Sequence, residues 1–239
     1  MSNHTYFQRK VRPLVLIANR IGRLASNSHF SAAKTGDDRS AVCLINEVLQ
    51  HPFIDDICSA IAGANAILQP VLGMEAGCDN KIPLALSTKL SGLLDVRHGL
   101  EIVQSTVSLR SSANGLDRLF TRPWFDGQVE GGRNYFIVDD TLSQGGTILS
   151  LINFIESHGA NVIGYAVLSG KQYSAQLSLS NFTLEVLREK YGTFESDFIS
   201  ATGYGFDSLT ESEARYISKI NSLDAFRDRI AEAKDEEGS

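Results

Sequence analysis

Asn134 to Thr147 reads NYFIVDDTLSQGGT, and this stretch decides the fold. Asn134 to Val138 is a continuous apolar run of the kind a strand shows when both of its faces are buried. Two adjacent acids, Asp139 and Asp140, follow, then a short loop carrying Gly145 and Gly146. A helical pattern runs from about Gly146 to Ser157, with Ile148, Leu149, Ile152 and Ile155 on one face and Gly159 placed to end it. Val162 to Leu168 (VIGYAVL) returns as a second apolar strand. Strand, helix and strand in this span form a βαβ unit, which implies parallel strands and an α/β domain.

The chemistry of the segment follows from its residue types. A loop that opens a helix presents backbone N–H groups and the positive end of the helix dipole, which suits a phosphate. Ser143 and Thr147 add hydroxyl donors. Paired carboxylates at a strand end can each accept two hydroxyl hydrogen bonds, which suits a vicinal diol. One site built this way holds a phosphate and the hydroxyls of its sugar. Asp37-Asp38 and Asp55-Asp56 lack either the strand before or the glycine loop after, so the same reading does not extend to them.

VDDTLSQGGT, residues 138–147, resembles the signature of type I phosphoribosyltransferases, in which an apolar strand, two acids and a Gly/Thr loop bind 5-phosphoribosyl 1-diphosphate (PRPP). The resemblance implies an α/β fold of three layers, with a mostly parallel central sheet and helical N- and C-terminal additions. It implies that Asp139 and Asp140 bind the ribose hydroxyls at the catalytic centre, and that Thr141, Leu142, Ser143, Gln144, Gly145, Gly146 and Thr147 wrap the 5′-phosphate. Gln144 stands where the family commonly has threonine or alanine, a change a backbone cradle tolerates. Ser143 stands where hypoxanthine-guanine enzymes carry an extra aspartate, so a 6-oxopurine acceptor does not follow.

Working outward, Ala66 to Val71 reads as an earlier strand. By resemblance it lies beside the acid-bearing strand, with its loop, Leu72 to Lys81, holding the diphosphate. Gly73 and Gly77 would let backbone amides approach phosphate oxygens, Asn80 could donate its amide, and Lys81 could neutralise charge. Glu75 and Asp79 would repel a naked diphosphate, so Mg²⁺ is the expected companion of PRPP. Glu101 to Val107 reads as another strand, and Ser108 to Arg133 falls where the family carries a flexible loop, often a two-stranded excursion. Arg110, Arg118 and Arg122 are its candidates to grip the departing diphosphate. After VIGYAVL, Lys171 stands near the place where purine-type relatives put a lysine facing the base, and Tyr173 could stack on that base. The implied reaction is transfer of 5-phosphoribose from PRPP to a nitrogen nucleophile, a nucleobase-like acceptor, with release of Mg-diphosphate. A non-catalytic sensor of PRPP or a nucleotide, or an enzyme acting on another ribosyl-phosphate bond, would use the same pocket.

Elsewhere the pattern is helical. Ala41 to Gly63 suggests two helices broken at Pro52, and Ile82 to Leu94 a third through Leu84, Leu86, Leu90 and Leu93. Asn181 to Lys190 and Leu223 to Ala233 are further candidates, and Thr210-x-x-Glu213 reads as a capping box. Leu14 to Ala18 is a short strand candidate. Residues 1–40 are thus expected to be an extension or hood, 41–175 the core, and 176–239 a helical cap.

Composition bounds the function classes. The 239 residues carry 22 Lys plus Arg against 28 Asp plus Glu, a net charge of -6 that counts against a dedicated nucleic-acid partner. No apolar run approaches a membrane span, the start lacks a signal core, and Cys43, Cys58 and Cys78 make no disulfide framework, which points to the cytoplasm. The histidines show no metal spacing, and the overlapping Ser31-x-x-Lys34 and Lys34-Thr35-Gly36 imitate hydrolase signatures only by chance. A homodimer is the expected assembly.

Overall fold

The computed structural model describes residues 12–75, 78–105, 119, 122–220, 222, 224 and 226–228. The core is a parallel sheet of β1 (Leu16–Arg20), β2 (Ala66–Pro70), β7 (Asn134–Leu142) and β8 (Asn161–Gly170), in the order β1-β8-β7-β2. The intervening strands form two antiparallel ribbons, β3 (Met74–Glu75) with β4 (Cys78–Asp79) and β5 (Ile102–Gln104) with β6 (Phe125–Gly127).

The sheet is buried on both sides where its strands run apolar, from Ala66 to Leu68, Tyr135 to Val138 and Tyr165 to Leu168. Along β7, Tyr135 and Ile137 face one core while Phe136 and Val138 face the other, the period of two that a pleated strand imposes. On the first side lie Ile148, Leu151, Ile152 and Ile155 of α5 (Gly146–Ser157), with Phe125 of the second ribbon. On the other side pack α2 (Asp38–Val48), α3 (His51–Ile61) and α4 (Ile82–Leu94), with α1 (Phe30–Lys34) beside α2. The result is a three-layer α/β architecture. A register shift between Tyr135 and Phe136 brings Phe136 opposite Gly164, where a Cβ would stand 2.5 Å from the Phe136 ring.

The chain after β7 crosses to β8 through α5. The chain after β2 crosses in the opposite direction through α4, because Leu68 of β2 bridges in parallel to His98 on the outer side. The two crossovers lie on opposite faces and lead away from each other, so the carboxyl ends of β2 and β7 form a topological switch point. Such crevices are where open α/β sheets bind ligands.

Several elements differ from the sequence expectation. β7 continues through Asp139 and Asp140 to Leu142, so the acids sit within the strand rather than after it. Of Glu101–Val107, Ile102–Gln104 is a strand that joins the ribbon with Phe125–Gly127 instead of the main sheet, and residues 106 and 107 lie outside the described residues. The break between α2 and α3 falls at Leu49 and Gln50, and Pro52 lies in the first turn of α3, where its missing N–H costs no helical bond. In α4 the buried face runs through Ile82, Leu86 and Leu90, leaving Leu93 exposed. Leu16–Arg20 precedes the boundary expected at residue 40, yet it is the edge strand of the core sheet.

The C-terminal segment is helical: α6 (Asn181–Tyr191), α7 (Glu195–Thr202) and α8 (Glu211–Ser218) enclose their own core of Leu187, Tyr191, Phe198, Phe206, Ile217 and Phe226. The Thr210–Glu213 capping box is formed at the start of α8. Most of Leu223–Ala233 lies outside the described residues.

Candidate functional site

The site stands at the end of β7. Alternation along the strand turns Asp139 toward the α5 side and Asp140 toward the side of α1 and α4. Both are buried, at 7% and 3% exposure, and the Asp139 Oδ1 accepts the Asp140 backbone N–H at 2.8 Å. Burial, with the neighbouring charge of Asp140 added, pushes the Asp139 carboxyl well above the usual carboxylate range, while Lys34 and the Asp140 N–H act in the other direction. Asp140 meets a cation instead: Lys34 Nζ stands 2.8 Å from its Oδ2.

The segment after the acids forms the loop that the sequence suggests. Asp139, Thr141, Leu142, Ser143, Gln144, Gly145, Gly146 and Thr147 line one small cavity at the amino end of α5, joined by Ile148 and Glu213. Gly145 has φ +89°, a left-handed conformation that a side chain would strain, and a Cβ there would meet Leu177 at 2.5 Å. The 12-residue α5 that follows presents its first N–H groups to this cavity.

The loop is braced from the C-terminal segment, which the sequence did not reveal. Thr210 Oγ1 donates to the Gln144 carbonyl at 2.7 Å. Ser174 Oγ donates to the Ser143 carbonyl at 2.6 Å and also meets Ser212 Oγ at 3.0 Å. The Glu213 carboxylate lies against Gly146, where a Cβ would stand 2.4 Å from its Oε1. Glu213 is 1% exposed and is paired with Arg122, whose Nη1 also donates to the Ser208 carbonyl at 2.8 Å. Arg122 further lies 4.1 Å above the Tyr204 ring. Of the three arginines proposed to grip diphosphate, Arg122 is therefore engaged with the cap, and Arg110 and Arg118 lie outside the described residues.

The remaining expected residues converge to different degrees. Val71 N donates to the Val138 carbonyl at 2.9 Å, so the Leu72–Lys81 segment leaves the sheet beside the acids. Gly73 packs on Gln104, and the Asn80 Oδ1 accepts from Ile82 N at 3.2 Å in the turn that enters α4. Lys81 N donates to the Ala33 carbonyl at 3.1 Å, which brings that segment's end to Lys34. Gly77 lies outside the described residues. Lys171 N donates to the Leu142 carbonyl at 3.2 Å, placing the Lys171–Tyr173 turn next to the loop, with Tyr173 60% exposed and the Lys171 ammonium 5.7 Å from its ring centre.

For a metal, the described residues contain no group of three or more His, Cys, Asp or Glu able to hold one. The β3–β4 register sets Glu75 opposite Cys78 and Asp79 opposite Met74, so the two acidic positions are not cross-strand partners. No described helix is long and apolar enough to cross a membrane.

Comparison with known proteins gives partial likenesses. The chain is similar to protein TraN of Escherichia coli, 34% identical over 225 residues, covering 94% of this chain and 50% of TraN. It is similar to an uncharacterised protein of Haemophilus influenzae, 35% identical over 143 residues, covering 60% of this chain and 32% of the other. A shorter likeness, 36% over 64 residues, links 27% of this chain to 22% of the purine biosynthesis transcriptional repressor PurR of Bacillus subtilis. The chain thus spans half or less of the length of each of these relatives. No family model matches. Among solved structures, adenine phosphoribosyltransferase of Saccharomyces cerevisiae matches with 15% identity and a TM-score of 0.35, covering 55% of this chain and 75% of that one. Orotate phosphoribosyltransferase of Aeropyrum pernix matches with 20% identity and a TM-score of 0.32, covering 59% and 64%. The chain itself is a three-layer α/β protein with its acid pair and glycine loop at the switch point of a parallel sheet.

Proposed function

We propose that the chain binds PRPP at the carboxyl ends of β2 and β7 and transfers its 5-phosphoribosyl group to a nitrogen nucleophile of nucleobase type. The observation that carries this reading is a pair of buried carboxylates at the end of one strand, with Asp139 lining the cavity that the glycine loop forms at a helix amino end and Asp140 on the strand's other face. The carboxylates suit the ribose hydroxyls and the loop suits the 5′-phosphate. Such a transfer passes through a cation-like ribosyl centre, so the protein acts by orienting the sugar and by placing charge rather than through a nucleophile of its own. In this reading the Lys171–Tyr173 turn, which lies beside the loop through the Lys171 N–H to Leu142 carbonyl bond, would meet the acceptor. Mg²⁺ would arrive on the phosphate oxygens of the ligand and neutralise the departing diphosphate. Diphosphate release with a panel of nucleobases tests the reading, and release with none of them would count against transfer.

A second reading is favoured by one finding: a 64-residue likeness to a protein named as a purine biosynthesis transcriptional repressor. Here the same crevice would sense PRPP or a nucleotide without turnover. Calorimetry showing PRPP binding, with no diphosphate released, would select it.

A further inference from the structure

We propose that Lys34 is a specificity-determining residue of the ribose site, a built-in cation that leaves the acid pair free to accept ligand hydroxyls directly and keeps divalent ions off it. The inference rests on the reading of Asp139 and Asp140 as the ribose-binding pair.

Three observations carry it. Lys34 Nζ stands 2.8 Å from Asp140 Oδ2, an oxygen of a residue only 3% exposed. That oxygen is enclosed and accepts no hydrogen bond among the described residues, so the ammonium beside it is what balances its charge, and the carboxylate's other oxygen is left to the ligand. Finally, the lysine is held on a fixed element. It is the last residue of α1, whose Ala33 is fully buried and whose Ala33 carbonyl takes the Lys81 N–H at 3.1 Å. A cation so placed is preorganised before any ligand arrives.

The chemistry follows from charge. Two adjacent buried carboxylates repel each other, which by itself invites either a proton or a divalent ion. Mg²⁺ binds carboxylate oxygens at about 2.0–2.1 Å, so on Asp140 Oδ2 it would lie within a few ångströms of the ammonium and be repelled by it. Lys34 supplies the balancing charge instead. The ligand class selected is a 5-phosphorylated pentose with free vicinal hydroxyls, received by the pair without a bridging metal. Any Mg²⁺ then comes with the diphosphate of the ligand rather than on the acid pair.

Ribose 5-phosphate separates the two, because it carries no diphosphate. Its binding is measured by calorimetry in EDTA and in excess Mg²⁺ for the wild type, Lys34→Met, Lys34→Arg, and Asp139→Asn with Asp140→Asn, each checked for fold by circular dichroism. Wild type should bind equally in both buffers. Lys34→Met should bind about ten-fold or more weakly in EDTA, the order expected for loss of a charged partner, and recover in Mg²⁺. Lys34→Arg, which keeps the charge, should stay near wild type. Equal binding by Lys34→Met and wild type in EDTA would overturn the assignment, as would a wild type that needs Mg²⁺. The latter comparison requires no variant, so it decides even where Lys34→Met fails to fold. Undiminished binding by the acid double variant, or none by the wild type in either buffer, would instead overturn the site reading itself.

Discussion

Thr210 Oγ1 donates to the Gln144 carbonyl at 2.7 Å, tying the first turn of a C-terminal helix to a loop 66 residues earlier in the chain. The same hydroxyl accepts the Glu213 N–H at 3.1 Å as the helix cap. One side chain therefore starts α8 and fixes the loop proposed to hold phosphate.

Thr210→Val keeps the shape and removes both bonds. Loss of a cap and of a buried hydrogen bond should cost about 1–3 kcal/mol and lower the melting temperature by several degrees. Binding of ribose 5-phosphate should weaken as well, since Gln144 loses its brace. A variant that melts earlier yet binds the sugar phosphate as before would show that the brace does not shape the loop.

Arg122→Met should be more damaging, because it leaves the Glu213 carboxylate buried without its partner. Breaking a buried pair in this way costs about 3–5 kcal/mol. Adding Glu213→Gln should recover part of the loss. Denaturant unfolding of both singles and the double measures the coupling, and purely additive effects would contradict a direct pair.

Asp139→Asn should stabilise the protein at neutral pH while removing ligand binding. Burial and the Asp140 charge raise the Asp139 carboxyl in the folded state, so the folded protein holds that proton more tightly than the unfolded chain does. The advantage is complete below the unfolded value, about 3.9, and is lost as pH rises through the folded value. Above the unfolded value the acid therefore costs folded-state stability that asparagine does not, and the difference should shrink toward about pH 4. Urea unfolding across the range checks the sign; a variant less stable than wild type near neutrality would contradict it.

Gly164→Ala tests the packing of the central strand. The added Cβ would meet the Phe136 ring at 2.5 Å, and overpacking of a tight core costs about 1–3 kcal/mol. Phe136→Leu in the same chain should relieve part of it, as read from the unfolding midpoint of the pair against each single variant.

The parts of this structure legible in the sequence are those with a local cause. The apolar runs of β7 and β8, the periodic face of α5 and the glycine loop between them announce themselves within Asn134–Leu168, and the capping box at Thr210 is as plain. What was hidden depends on tertiary approach. Lys34 sits in a polar stretch with no periodicity, and only the docking of α1 brings it to Asp140. The capping box predicts a helix start but not that the start leans on Gln144. Arg122 reads as one loop arginine among several, and its burial under Tyr204 against Glu213 follows from the packing of the cap. The Glu101–Val107 run has strand composition, but a strand's partner is chosen by the fold, and Ile102–Gln104 pairs with the ribbon strand Phe125–Gly127.

The central claim is that the acid pair and the glycine loop form one ribosyl-phosphate site. Calorimetric titration of PRPP in the presence of Mg²⁺ into the wild type, and into the variant carrying Asp139→Asn with Asp140→Asn, tests it most directly. The wild type should bind and the double variant should show no measurable heat of binding; unchanged binding by the double variant would contradict the claim.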